Sequence, residues 1–375
     1  MKIGIDALAL YCPHYFLDLR LLAEKRGVPY EKFYVGIGQE KMAIPAPDED
    51  VVTMAANAAH RALGDMDLSE LDSIIFATES GIDQSKAAAV YVHQLLDLPT
   101  TCKAFEVKQA CCSSTMAVLM AMGTVALNPK KKVLVVASDI ARYGFKTSGE
   151  STQGAGASAV VISANPRLVV LDADTGSYTE DVMDFWRPNY LECALVDGKF
   201  SMKMYLKALT HAWDAYCGTT GAKHADFDRF IYHLPFTRMA EKAHAQLAKH
   251  AAETAPRNLL ESLRDSLHYS RLTGNCYTAS LYISLSSLLE NSREDLTGKR
   301  LGLFSYGSGC VGTFFSGTIC SGYEEHLHRS AHYRMITERQ ELTWAQYIAF
   351  YEHSLPEDGP DYMIDIHDTG HFRLA

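Results

Sequence analysis

The chain has 375 residues, 47% of them hydrophobic and 21% charged, with a formal net charge of −10. That length allows a large core, as two domains or one double-length unit, and the composition excludes a disordered chain. The acidic balance argues against general nucleic-acid binding, although a local basic site can still hold a phosphate.

The opening MKIGIDALALYCPHYF lacks the basic-then-apolar order of a signal peptide. No apolar run is expected to reach the ~18 residues that span a bilayer. LDLRLLAEKRG (17–27) reads as a helix added over the core. LDSIIFATES (71–80) is an apolar strand ending in polar residues, and KAFEVKQACCSSTMAVLM (103–120) reads as strand, sharp turn and buried helix. KKVLVVASDIARYG (131–144) and the Gly-led GAGASAVVISAN (154–165) are two more strands. KMYLKALTHAWDAY (203–216) is a second added helix. FDRFIYHLPF (227–236) is again a strand ending in polar residues, and LTGNCYTASLYISLSSLL (272–289) again a turn opening an apolar helix. RLGLFSYGSGCVGTFFSGTI (300–319) supplies two strands joined by a Gly-rich turn. Beyond about residue 322 the chain is polar and less regular, and LTWAQYIAFYEHSL (342–355) is its best helix.

Strand and helix patterns alternate twice, at a spacing of about 160 residues, far longer than solenoid repeats. This is the signature of a duplicated α/β unit, with halves expected at 1–167 and 168–375 and a site between them.

Nine cysteines (Cys12, Cys102, Cys111, Cys112, Cys193, Cys217, Cys276, Cys310, Cys320) are scattered, odd in number and without CxxC spacing. No metal site is expected, and reduced thiols in a cytoplasmic protein are the simplest reading. Cys111 and Cys112 sit side by side where a strand turns into a helix. Unpaired N–H groups and the helix dipole there favour a thiolate, which is a good acyl acceptor. The stretch itself does not separate the two, nor either from a small buried hydrophobe. Glu79 and His233 end matching strands of the two halves, and Cys111 and Asn275 occupy matching turns. In a duplicated α/β unit these four converge on the pseudo-twofold axis. The turn at Gly307–Gly309 and the backbone around Cys111 are candidate oxyanion donors. Arg238 and Lys242 lie about one helical turn apart and are expected to face one anion.

GIGQEKMA (36–43), ATESGIDQSKAAA (77–89), KQACCSST (108–115), ASDIARYG (137–144), GESTQGAGA (149–157), DFWRP (184–188), LVDGKFS (195–201), YHLPFTRMAEKA (232–243), GNCYTASLY (274–282) and FSYGSGC (304–310) carry a resemblance. On these stretches the chain resembles the bacterial type of the hydroxymethylglutaryl-CoA (HMG-CoA) synthase family, in the thiolase-like superfamily. The resemblance implies an α/β thiolase-like fold, with duplicated βαβαβαββ halves in five αβαβα layers, and a homodimer. It implies condensation of acetyl-CoA with acetoacetyl-CoA to HMG-CoA and CoA in the mevalonate pathway of isoprenoid biosynthesis. CoA thioesters are then the substrates, with no separate cofactor, metal, nucleic acid or membrane partner.

The same resemblance makes Cys111 the acetyl acceptor, Glu79 the base at the acetyl methyl, and His233 the residue that holds and polarises the acetoacetyl group. Tyr143, Thr152, Ser201, Asn275 and Ser308 fall on substrate-contact positions, and Arg238 and Lys242 near the CoA phosphates. Cys112 stands where the family commonly has Tyr or a small residue, and Arg238 where a related bacterial type has Lys. An HMG-ACP synthase of polyketide β-branching, fed by acyl carrier protein, is the alternative. An initiating ketoacyl-ACP synthase is a further one, but it needs no carboxylate such as Glu79.

Overall fold

The computed structural model describes residues 1–191, 193–252, 259–354, 363–367 and 369–374. Nine strands form its large sheet: β1 (Ile3–Tyr11), β2 (Leu71–Ala77), β3 (Lys103–Val107), β4 (Lys132–Ile140), β5 (Ala155–Ala164), β6 (Val169–Thr179), β7 (Arg229–Tyr232), β8 (Arg300–Gly307) and β9 (Val311–Ile319). Their order is β7-β8-β9-β6-β1-β5-β4-β2-β3. Read outward from the middle, each half repeats one pattern. β2 and β4 pair in parallel, as do β7 and β8; β4/β5 and β1/β5 are antiparallel, as are β8/β9 and β9/β6. The halves meet where β1 pairs antiparallel with β6, Gly4 opposite Val170. A Cβ on Gly4 would lie 2.0 Å from the Val169 carbonyl, so only glycine allows this approach. The second half has no counterpart of β3 among the described residues; a helix runs up to its turn instead.

Seven helices complete the layers: α1 (Val51–Leu63), α2 (Ala88–Leu95), α3 (Ser113–Leu127), α4 (Gly198–Thr220), α5 (Met239–His250), α6 (Leu259–Thr273) and α7 (Ser280–Asn291). Side chains alternate across a strand, so a sheet covered on both faces reads as continuously apolar. Ile74, Phe76, Leu134 and Val136 face α1 and α2, whereas Ile75, Ala77, Val133 and Val135 face α3 and α7. On the other half, Phe230, Phe304 and Phe314 face α4 and α5, and Ile231, Leu303 and Phe315 face the shared central helices. The result is the five-layer αβαβα thiolase-like arrangement. Helix α4 is therefore a layer of the second half rather than an addition.

Residues 110–127 do reach the length and hydropathy of a span, against expectation. They enclose α3, whose Ala117, Val118, Ala121 and Val125 are fully buried between the sheets. One face of this helix is open, with Met120 and Leu127 exposed.

The N- and C-terminal segments build a satellite together. Tyr15–Asp18 pairs with Lys41–Ile44 and Gln340–Glu341 in a small sheet. The helices Leu19–Arg26 and Trp344–Glu352 pack on it through Leu19, Leu22 and Tyr347. Asp18 caps the first of these helices and Thr343 the second. The last residue of the expected 342–355 helix lies outside the described residues.

Candidate active site

The turn between β3 and α3 is tied by a serine. Ser113 Oγ accepts from the Gln109 N–H and donates to the Ala110 carbonyl, and Ala110 is held at φ +43°. The matching turn before α7 is built the same way: Ser280 Oγ accepts from the Cys276 N–H, and Tyr277 lies at φ +41°. Matching Ser113 to Ser280 puts Thr278, not Asn275, at the place of Cys111. Left-handed backbone at a non-glycine residue is costly and marks a turn held by its surroundings.

This turn separates the two thiols. Cys111 opens into a cavity of about 270 Å³ between the halves. Cys112 is fully buried. It points away beside Ser305 and Thr313, and burial pushes its thiol up to about 11. Gly307 permits the close packing, since a Cβ there would lie 2.8 Å from Cys112 Cβ and 2.3 Å from the Gln109 carbonyl.

Cys111 Sγ donates to Glu79 Oε1 at 2.9 Å. Burial, with Asp139 nearby, raises the Glu79 carboxyl to about 8. Burial and the Glu79 carboxylate push the Cys111 thiol well above its usual value. The thiolate expected from the helix N-terminus is thus outweighed, because a buried anion beside a carboxylate is disfavoured. The resting pair is a thiol facing a carboxyl poised near neutrality.

Asp139, unassigned from the sequence, positions this pair. It is fully buried and accepts from Thr78 Oγ1 at 2.8 Å, the Glu79 N–H at 2.9 Å and the Thr278 N–H at 3.0 Å. One carboxylate thereby ties the Glu79 strand end to the turn of the other half.

Across the cavity, His233 is 2% exposed and its Nδ1 has no hydrogen-bond partner among the described residues. Burial lowers its imidazole to about 3, so the ring is neutral at any working pH. Tyr143, Thr152, Ser201, Asn275 and Ser308 all line the same cavity. Asn275 Nδ2 donates to Tyr143 Oη at 3.3 Å, and Asn275 Oδ1 accepts from the Tyr277 N–H at 2.9 Å. Tyr277, Phe185 and Tyr205 also line it and were not singled out from the sequence.

The hairpin of Phe185–Trp186 and Leu195–Val196 contributes Phe185 and Val196 to the cavity wall. Its anchor is Asp184, which accepts from Ser201 Oγ at 2.9 Å, Tyr306 Oη at 2.8 Å and the Gly309 N–H at 2.9 Å. The Gly309 N–H is therefore committed to Asp184 and is not an oxyanion donor here. Arg187, from the same hairpin, donates to the Glu79 carbonyl.

Arg238 and Lys242 do not line the cavity or face one anion. The Arg238 guanidinium is held by the Val35 carbonyl and by Glu241, each at 2.8 Å. Lys242 is exposed at the rim, against Met202 Sδ and over the Phe236 ring. A basic cleft of about 550 Å³ adjoins the cavity instead, sharing Ile37 and Ser148 with it. Lys25, Arg26, Lys32 and Lys146 border this cleft. Among the described residues no cluster of three or more His, Cys, Asp or Glu could hold a metal ion.

Two like halves that bury a cysteine turn at their junction make this a condensing enzyme of the thiolase-like class. Residues 1–167 match the family model "Hydroxymethylglutaryl-coenzyme A synthase N terminal", and 169–269 and 249–352 match its C-terminal counterpart. The hydroxymethylglutaryl-CoA synthase of Enterococcus faecalis is 42% identical over 358 residues, 96% of this chain and 94% of that one. A polyketide-biosynthesis 3-hydroxy-3-methylglutaryl-ACP synthase of Bacillus subtilis is 33% identical, over 90% of this chain and 87% of its own. A crystal structure of an HMG-CoA synthase complexed with CoA superposes with a TM-score of 0.93 at 39% identity, covering 100% of this chain and 99% of that chain. The chain belongs to the hydroxymethylglutaryl-CoA synthase family.

Proposed function

We infer that the protein condenses acetyl-CoA with acetoacetyl-CoA and water to give HMG-CoA and CoA. This is the step that commits carbon to mevalonate and isoprenoids. The observation that carries the reading is the 2.9 Å contact with Glu79 of Cys111, which lines the same cavity as His233; Glu79 itself stands behind that lining.

Glu79 in its ionised form takes the Cys111 proton, and the thiolate attacks the acetyl-CoA carbonyl. The C–S bond to CoA breaks, and the departing CoA thiolate takes a proton back. Glu79, ionised again, removes a proton from the acetyl methyl, which is acidic only because the thioester carbonyl can take up the charge. The carbanion bonds to C3 of acetoacetyl-CoA, and the C3 oxygen takes the proton that Glu79 had removed and becomes the tertiary hydroxyl. The neutral His233 imidazole is the group that holds that oxygen. Water then cleaves the thioester to Cys111, leaving the new carboxyl. Tyr143 and Asn275 position the acyl groups, while Thr152, Ser201 and Ser308 line their path.

The basic cleft beside the cavity supports free CoA over a carrier protein. CoA ends in a pyrophosphate and a 3′-phosphate, and Lys32 and Lys146 offer exposed positive charge for them, with Lys25 beside them paired to Glu24 at 3.0 Å. Arg26 is already neutralised by Glu150, at 2.6 Å. These lysines replace Arg238 as the phosphate contact, with Lys242 at the rim. The relationship to the ACP-using B. subtilis enzyme favours the second reading, an HMG-ACP synthase. A ketoacyl-ACP synthase gains no support, because its carbanion comes from decarboxylation and Glu79 would have no task.

The deciding assay supplies labelled acetyl-CoA and then either acetoacetyl-CoA or acetoacetyl-ACP, followed by product mass. Rapid HMG-CoA from the free thioester is expected. Lys32→Glu with Lys146→Glu is expected to raise KM for acetoacetyl-CoA about tenfold, leaving kcat in place. Product only from the ACP substrate overturns the CoA reading.

The edge strand β3, whose backbone ends the sheet beside exposed Val90, Leu95 and Met120, supports the reading of a homodimer. Light scattering should give twice the 41.5 kDa chain mass; a monomer mass rejects it. Nine free thiols, including Cys111, suit the reducing cytoplasm as the place of action.

A further inference from the structure

The segment around Tyr143 is gripped from outside the cavity by one residue of the C-terminal helix. Tyr351 Oη accepts from the Gly144 N–H at 3.0 Å and donates to Gln153 Oε1 at 3.4 Å. That same Gln153 oxygen accepts the Tyr143 N–H at 2.8 Å. The Tyr351 ring packs on Phe145 at 4.0 Å between centroids, and the Arg142 guanidinium lies over it while donating to the Tyr351 carbonyl at 3.0 Å. Four consecutive residues, Arg142 to Phe145, are thus held by Tyr351 directly or through Gln153. Tyr351 itself does not line the cavity; Tyr143 does, and its hydroxyl meets Asn275.

We propose that Tyr351 is a positioning residue for the condensation, acting through Tyr143 from the satellite helix Trp344–Glu352. The proposal rests on the condensation reading and on Tyr143 as a substrate contact. A hydroxyl shared between one backbone N–H and one side-chain oxygen fixes the Tyr143 peptide from both sides. The Tyr143 hydroxyl is thereby pre-set against Asn275 before substrate arrives, which is where preorganisation acts on rate.

Tyr351→Phe keeps the ring and removes the hydrogen bonds to Gly144 and Gln153, together with a longer contact to Cys193 Sγ at 3.9 Å. It is expected to lower kcat/KM about tenfold. In a Tyr143→Phe background the same change should cost no more than about twofold, because no hydroxyl is left to aim. Amide hydrogen exchange of the full-length protein gives a readout free of turnover: Tyr143 and Gly144 should exchange at least about tenfold faster in Tyr351→Phe. An equal loss in both backgrounds assigns Tyr351 a merely structural part and overturns the proposal. So does unchanged exchange at Tyr143 and Gly144. If wild-type protein fails to condense, the condensation reading falls instead, and exchange alone decides whether Tyr351 holds this segment.

Discussion

Cys111→Ser is expected to abolish acetyl uptake from labelled acetyl-CoA and to lower turnover by at least about 10³-fold. Glu79 can take the proton of a thiol as it attacks, but a serine hydroxyl is far too weak an acid for a carboxylate of pKa about 8. The neighbour supplies the control. Cys112 lies on the far side of the turn, fully buried and outside the cavity wall. Cys112→Ser places a hydroxyl among Ser305 and Thr313, which can hydrogen-bond it. It should cost about 1–2 kcal/mol of stability at most and keep the label on Cys111. Peptide mass after acetylation locates the acyl group. Label retained by Cys111→Ser and lost by Cys112→Ser would reverse the assignment.

Much of this site was legible because its chemistry sits at strand ends and turns, where residue type is least explained by packing. Glu79 and His233 stand just past strands whose preceding residues are apolar (Ile74–Ala77 and Phe230–Ile231), and Cys111 just before a helix. The repeat then argued that they meet. What stayed illegible were contacts made across the repeat. Asp139 looks like the polar end of one more strand, yet it bridges Glu79 to Thr278. Arg238 and Lys242 share a helix face by spacing, but spacing does not show the carboxylate of Glu241 waiting for one of them. Helix α1 and strands β1 and β6 were not read at all. Eleven of the thirteen α1 residues are buried, so no polar face sets a helical period. β1 carries Asp6 in an otherwise apolar run, balanced by Arg167 at 2.8 Å from the far end of the half.

Glu79→Gln is expected to uncouple the two halves of the reaction. The amide keeps the shape and can still hydrogen-bond Cys111, so slow acetylation should survive at a pH high enough to ionise the thiol unaided. Condensation should fall by about 10²–10⁴-fold, because among the described residues no other carboxylate borders the cavity. The pH dependence carries the same signature. Wild-type kcat/KM should rise as Glu79 ionises and level off above about 8; the Gln variant should lose that limb. Stability must move the opposite way. The fold raises this carboxyl from 4.5 to about 8, so its neutral form is the one the native state prefers. Its stabilising contribution is complete below the unfolded value and is lost as pH climbs through about 8. Glutamine does not titrate, so the Tm of Glu79→Gln should gain on wild type between pH about 5 and 9 while activity is lost. A variant that condenses normally, or one whose Tm tracks wild type across that range, removes Glu79 from the role of base. Activity and stability are opposed at this carboxyl because the burial that brings it near neutrality as a base also penalises its charged form in the fold.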